Sequence, residues 1–281
     1  MVAELRIFSA KQYEQESLRE AAASLGAVVA DTAAPRPTRG GAAAPARPSP
    51  REPTLRLVPL DVRLSLETVD LAAGAAAVSV FVNDDVSRPV VERLAEHGVT
   101  CLALRCAGFN NVDLQAAAEC GIRVVRVPSY SPNAVAEHTL ALILALNRNI
   151  HRAYGRVRDG NFSLEGLVGF DLAGKTAGVI GTGQIGAIVA RLLWHLRCRV
   201  VAVDPYQDDH LVDLGVEYTT VEHVLAESQI VSLNCPLSEE TYHLIDASAI
   251  ASMRGGVMLV NTGRGALIDT TAVVDGLKSG R

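Results

Sequence analysis

Three glycines and one acid carry the most specific chemistry in this chain of 281 residues. Gly181-Thr182-Gly183-Gln184-Ile185-Gly186 spaces its glycines as G-x-G-x-x-G, and Asp204 follows the last of them at 204 − 186 = 18 positions. Such a run holds a dinucleotide only where a buried strand feeds the first glycine and an amphipathic helix leaves the last. Both patterns are present. Residues 176–180 read as a strand, and Ile185, Val189, Leu192 and Leu196 recur as one helical stripe. Gly181 then permits the tight turn, Gly183 lets backbone approach a pyrophosphate, and Gly186 lets helix and strand pack closely. The helix start offers N–H groups and a partial positive charge to the phosphates. Asp204 ends the next strand, where a carboxylate accepts from ribose hydroxyls and repels a 2′-phosphate. No arginine among Pro205, Tyr206 and Gln207 supplies a counter-charge, so the expected cofactor is NAD and not NADP.

The elements that must position this motif alternate along the chain. Strand patterns fall at residues 5–8, 27–30, 55–58, 78–82, 100–104 and 122–127, and again at 176–180, 199–203, 230–233 and 257–260. Helical patterns lie between most of them. This alternation predicts α/β architecture with two doubly wound parallel sheets, and hence two domains, 1–105 and 106–281. Ser131-Pro132 opens a long helix, a small polar cap followed by proline at its first position. That helix is apolar nearly all round from 134 to 146, which predicts burial on more than one side. Gly160 is expected to end it.

Order breaks down at 32–54, which holds Pro35, Pro37, Pro45, Pro48, Pro50 and Pro53 and four arginines against a single acid, Glu52. Such a segment cannot bury enough apolar area to offset ordering, so a disordered insertion is expected there.

Composition narrows the classes. Hydrophobic residues are 49% of the chain and charged ones 20%, enough to bury real cores. A formal net charge of −5 argues against nucleic acid as a partner. The five cysteines, Cys101, Cys106, Cys120, Cys198 and Cys235, are odd in number and lack C-x-x-C spacing; they read as reduced thiols, with no metal site. The longest strongly apolar stretch, 140–146, is too short for a bilayer, and residues 1–8 lack a signal-peptide layout. The expected setting is cytoplasmic, with no membrane partner.

Five further segments resemble the D-2-hydroxyacid dehydrogenase family. Arg105-Cys106-Ala107-Gly108-Phe109-Asn110-Asn111-Val112-Asp113 is similar to its substrate loop, and Pro128 to His138 to the segment that follows. Asn161 to Gly166 resembles its linker, and Val231 to Leu237 and Asn261 to Asp269 its two later signatures. The Phe81-Val82-Asn83-Asp84-Asp85 run is most similar to the D-lactate branch. The resemblance covers nearly the whole chain outside 32–54. It implies a flavodoxin-like substrate domain followed by a Rossmann NAD-binding domain, working as a homodimer.

It also implies roles by position. The N–H groups of Ala107 and Gly108 hold the substrate carboxylate, and Tyr130 contacts the substrate. Gln184 and Ile185 lie under the pyrophosphate. Cys235, Pro236 and Thr241 line the cofactor cleft, with Cys235 a wall contact and not a nucleophile. Thr262 and Gly263 pass close to the nicotinamide. Arg264 matches the catalytic arginine: a guanidinium forks onto the carboxylate and carbonyl of a 2-oxo acid and stabilises the charge growing on oxygen. The implied activity is NAD-dependent interconversion of a D-2-hydroxy acid, D-lactate foremost, and its 2-oxo acid. The alternatives are an NAD(H)-sensing corepressor-like binding protein and a formate dehydrogenase.

One departure stands out. The family's general-acid histidine and its glutamate lie beyond the arginine motif, and the sequence stops at Arg281 before either. None of the seven histidines replaces them; His138, on the apolar helix, is expected to be packed. Loss of a general acid costs ~10²–10⁴ in rate, so a truncated form with little or no turnover is expected.

Overall fold

The computed structural model describes residues 2–30 and 55–280. The insertion expected at 32–54 lies outside the described residues. Two compact units divide the chain, Met1–Tyr130 and Ser131–Arg281.

The first unit carries β1 (Ala3–Ile7), α1 (Gln15–Ser24), β2 (Val28–Val29), β3 (Leu55–Pro59), β4 (Ala77–Val80), α2 (Arg88–Glu96), β5 (Cys101–Leu104), α3 (Leu114–Glu119) and β6 (Arg123–Arg126). Its sheet runs β2-β3-β1-β4-β5-β6, with every pair parallel. Setting aside the two-residue β2, this is the flavodoxin-like order 2-1-3-4-5. The core packs Val78, Val80, Leu102 and Leu104 from the strands against Val90, Val91 and Leu94 of α2. Proline follows the N-cap Ser87 in the first turn of α2, and Gly98, at φ +84°, stands just beyond the helix end.

The division falls later than the sequence pattern suggests. β6 pairs with β5 from Cys101↔Arg123 to Leu104↔Arg126, so residues 106–126 stay with the first sheet and the boundary moves from Arg105 to Tyr130. Parallel pairing needs a crossover, and α3 provides it.

The second unit carries α4 (Pro132–Asn147), α5 (Ile150–Arg158), β7 (Thr176–Ile180), α6 (Gln184–His195), β8 (Arg199–Val203), α7 (Asp209–Asp213), β9 (Glu217–Tyr218), α8 (Val221–Glu227), β10 (Ile230–Leu233), α9 (Ala247–Ser252), β11 (Met258–Asn261) and α10 (Thr270–Lys278). Its parallel sheet runs β11-β10-β7-β8-β9. Counted from β7 this is 3-2-1-4-5, the Rossmann arrangement, and the order reverses between β7 and β10. β10 is buried at all four residues, and three of them are aliphatic, as expected of a strand covered on both faces.

The long helix is two helices. Asn149 takes a left-handed conformation at φ +52°, which asparagine tolerates better than most residues, and α5 restarts from it. Gly160, at φ +72°, stands just past the end of α5 instead. Within this unit α4 buries one stripe, Ala136, Thr139, Ile143 and Asn147, and Leu146 stays exposed. His138 is exposed, not packed.

Candidate functional site

In the first unit, the loop expected to hold a carboxylate is clamped at both ends. Arg105 opens it: its guanidinium donates to the Phe8 carbonyl at 3.0 Å, to Ser79 Oγ and to Glu14 Oε1, and lies over the Phe81 ring. Asn111 closes it, donating from Nδ2 to the carbonyls of Asp84 (2.9 Å) and Phe81 (3.2 Å). Val86 and Val112 add a parallel bridge. Between these anchors Ala107 and Gly108 are half-buried. Arg126, at the end of β6, donates to the Ala107 carbonyl at 3.1 Å and the Pro128 carbonyl at 3.3 Å, and its guanidinium covers the Phe109 ring. The structure therefore brings the 105–113 loop and the start of the 128–130 segment together. Tyr130 is 69% exposed and is not packed into its own unit. Arg126 is the residue that sequence reading missed; a lone arginine at a strand end gives no signal.

In the second unit, the glycine motif sits where the strand order reverses. Gly181 follows β7 at φ +90°, and a Cβ there would come within 2.6 Å of the Cys235 amide nitrogen. Any other residue would be strained and would push the β7 and β10 ends apart. At Gly186 a Cβ would overlap the Gly181 carbonyl oxygen. The constraint there is thus the turn itself as much as the helix–strand contact expected from the sequence.

Gly183 is different. A Cβ there meets nothing within 4 Å, and this glycine starts α6 with no side-chain cap. The chain's own packing does not call for glycine at this exposed turn, which leaves the backbone open to a phosphate at the helix start. The residues present fit a dinucleotide. Gln184 is exposed in the first turn of α6, and Ile185 is half-buried against the core.

Asp204 stands directly beside this turn. Its Oδ2 accepts from the Thr182 N–H at 2.6 Å and its Oδ1 from the Tyr206 N–H at 2.8 Å. Half-buried and doubly held, the carboxylate keeps lone pairs for further donors.

The opposite wall follows β10. Thr241 Oγ1 donates to the Pro236 carbonyl at 2.7 Å and accepts from the Ser238 N–H at 2.7 Å, closing the 236–241 loop. Burial pushes the Cys235 thiol pKa up, its own backbone opposes this, and the Asp204 charge adds to the rise. A thiol kept protonated suits a wall contact and not a nucleophile.

The turn after β11 completes the group. Asn261 accepts from the Gly263 N–H at 2.9 Å and donates to the Arg264 carbonyl at 2.8 Å, so one side chain fixes two consecutive residues. Gly263 lies against the Cys235 carbonyl, at 3.7 Å from a Cβ position. Thr139 gives its hydroxyl hydrogen to the Val135 carbonyl, so the 2.9 Å contact between Thr262 and Thr139 is a bond donated by Thr262. It ties the turn to the buried face of α4. Arg264 is exposed on this rigid turn. Among the described residues no cluster of three metal-ligating side chains is present, and no helix is long and apolar enough to cross a membrane.

Comparison with known proteins gives a consistent result. Residues 140–281 match the family described as D-isomer specific 2-hydroxyacid dehydrogenase, NAD binding domain. A D-lactate dehydrogenase of Escherichia coli (strain K12) is 55% identical over 219 residues, 78% of this chain and 67% of that protein. A 2-hydroxyacid dehydrogenase homolog of Haemophilus influenzae is 54% identical over 218 residues, 78% of this chain and 66% of that protein. The chain thus spans about two thirds of the length of the curated relatives it matches. Among solved structures, the apo form of the Escherichia coli D-lactate dehydrogenase superposes with TM-score 0.82 at 47% identity, covering 99% of this chain and 79% of that one. A D-lactate dehydrogenase from Aquifex aeolicus complexed with NAD and lactic acid superposes with TM-score 0.79 at 29% identity, covering 98% and 74%.

Proposed function

Because the chain belongs to the D-isomer-specific 2-hydroxyacid dehydrogenase family, we propose that it interconverts a D-2-hydroxy acid, D-lactate foremost, and the corresponding 2-oxo acid. The observation that carries this reading is the turn from Gly181 to Gly186, whose middle glycine faces open space beside a carboxylate held for ribose hydroxyls. When bound, NADH supplies the hydride.

The chain's own residues bind and orient the reactants; none of them is assigned the proton that the reduced carbonyl oxygen takes up, which water would supply. Gly181, Gly183, Gln184, Ile185 and Gly186 take the pyrophosphate, and Asp204 takes the adenosine ribose. Cys235, Pro236 and Thr241 line the cofactor cleft, and Thr262 and Gly263 pass close to the nicotinamide. The N–H groups of Ala107 and Gly108 hold the substrate carboxylate, and Tyr130 contacts the substrate. Arg264 orients the 2-oxo acid through its planar fork and stabilises negative charge on the carbonyl oxygen; removing one such donor typically costs ~10²–10³ in rate. The Asn261 clasp favours this role, since it fixes the arginine's backbone before any ligand arrives.

A second copy of the chain is the proposed partner. Leu146, Ile150, Tyr154 and Val157, on consecutive turns of α4 and α5, are each 46–64% exposed, an apolar band that a homodimer would cover. The five free thiols support a cytoplasmic setting.

The test is a panel of pyruvate, glyoxylate and hydroxypyruvate with NADH, and formate with NAD, beside calorimetric NADH titration and native mass. NADH binding with selective reduction of pyruvate supports the reading. Formate oxidation, or NADH-dependent dimerisation without reduction of any 2-oxo acid, replaces it.

A further inference from the structure

Tyr218 lies on β9, the two-residue edge strand, paired with Ala202 of β8. Its hydroxyl makes two hydrogen bonds at once. It donates to Thr182 Oγ1 at 2.9 Å and accepts from the Asp208 N–H at 3.0 Å. Thr182 is the residue between the first two glycines of the dinucleotide turn and is 6% exposed. Its own N–H is the one that holds Asp204 at 2.6 Å. Asp208 closes the short run that begins at Asp204, and within that run Tyr206 N–H holds the other carboxylate oxygen.

These bonds form a closed ring. From Asp204 the path runs to the Thr182 backbone, through the threonine side chain to the Tyr218 hydroxyl, on to the Asp208 N–H, and back along the chain to Asp204. Both backbone groups that orient the Asp204 carboxylate therefore sit on segments pinned by one phenol. The phenol is well placed to act as a brace. Its ring is half-buried against the core formed by Leu211, Val216 and their neighbours, and its hydroxyl lies at a sheet edge with no further strand among the described residues to restrain residues 205–208.

We infer that Tyr218 is a positioning residue for cofactor choice: it holds the Asp204 carboxylate in the one orientation that accepts from ribose hydroxyls and repels a 2′-phosphate. This rests on the dinucleotide reading of the Gly181–Gly186 turn. Without the phenol hydroxyl, the 204–208 run and Thr182 lose their common tether. The carboxylate can then swing away from an added phosphate, so NADPH gains relative to NADH. A purely structural tyrosine would lower stability, or weaken both cofactors alike, and leave the ratio of their affinities unchanged.

The experiment measures Kd for NADH and NADPH by calorimetry on the full chain and on Tyr218→Phe, Thr182→Val and the double variant, with a thermal melt of each. Phenylalanine keeps the ring packing. Valine keeps the threonine shape and the backbone N–H to Asp204. The expected result is a narrowing of the NADPH-to-NADH Kd ratio by about three- to tenfold in each single variant, the scale of one lost hydrogen bond. The double variant should narrow it no further than Tyr218→Phe alone, because Thr182→Val breaks a bond that the phenylalanine has already removed. An unchanged ratio in folded Tyr218→Phe that still binds NADH overturns the inference and leaves the dinucleotide reading intact. Additive effects in the double variant also overturn it. A parent chain that binds neither cofactor overturns the dinucleotide reading, and the inference with it.

Discussion

Asp84, in the loop after β4, and Asp204, at the end of β8, both knit their units together by accepting N–H bonds. Asp84 takes the Ser9 hydroxyl at 2.7 Å, the Leu64 N–H at 2.8 Å and the Phe81 N–H at 2.6 Å. It is 2% exposed, beside Phe8 and Leu64, which are fully buried. Asp204 takes two N–H groups and stays half-buried at the open end of its sheet. A carboxylate has about four acceptor positions. In the first unit those positions are used or sealed, and the aspartate is a structural knot. In the second, two remain within reach of a ligand. Accessibility, more than the number of backbone bonds, separates the two roles.

The largest effect that would test this contrast is on stability. Asp84→Ala strands three donors, two of them backbone amides in a dry interior, and should cost about 3 kcal/mol or more in chemical denaturation. NADH affinity of the folded protein should stay within about twofold, since the change removes no group assigned to the cofactor. Asp204→Ala should show the reverse balance. Of the two amides it frees, that of Tyr206 is open to water and only that of Thr182 is buried, so the stability loss should be about 1 kcal/mol, while the NADH Kd should rise roughly ten- to hundredfold. If Asp204→Ala destabilises the chain more than Asp84→Ala, the comparison is wrong.

A third aspartate marks the weak end of the scale. Asp70 pairs with side chains on an open surface, accepting from Arg93 Nε at 2.9 Å, with His97 Nε2 at 2.8 Å. The Arg93 hydrogen bond, then the one to His97, holds its pKa below the ordinary value of 3.8. A folded-state pKa below the unfolded one means the stabilisation is present above the unfolded value and fades as pH falls through the folded one. Asp70→Asn should therefore lower Tm slightly at neutral pH and low salt. The difference should vanish in strong acid and shrink with added salt, because the pair is exposed.

Of these three aspartates only Asp204 can be picked out from the letters alone. Asp84 belongs to an Asn-Asp-Asp run that looks like a polar turn, and only the fold shows Ser9 and Leu64 converging on it. Asp204 was legible because its distance from the glycines is set by one strand–helix–strand unit. The strands at 176–180, 199–203 and 230–233 were also legible, since strands largely buried on both faces are rich in Val, Ile and Ala with few polar positions. β6 was seen as a strand but assigned to the wrong unit, because Arg123-Val124-Val125-Arg126 says nothing about which sheet it joins. α3 was missed: Leu114-Gln115-Ala116-Ala117-Ala118-Glu119 is under two turns long, too short for a helical period to show. β9, at two residues, gave no pattern, and with it went the brace at Tyr218. The clasp of Asn261 on Arg264 and the Thr139–Thr262 bond also join positions whose contact no spacing rule encodes.

The reversal of strand order between β7 and β10 has a kinetic side. The walls proposed for the dinucleotide site come from residues 181–186, 204, 235–241 and 261–264, which meet only after β7 has paired with both β8 and β10, and β10 with β11. Each pairing closes a loop through a helix, and such non-local contacts form slowly. The pocket should therefore be among the last features to assemble during folding. A ligand that binds it would act on the barrier to unfolding, leaving the folding rate nearly unchanged. At a hundred times its Kd, such a ligand adds about 2.7 kcal/mol to the folded state. Most of that would appear as a longer lifetime before the sheet opens, so the cofactor would serve the second unit as a brake on its own loss.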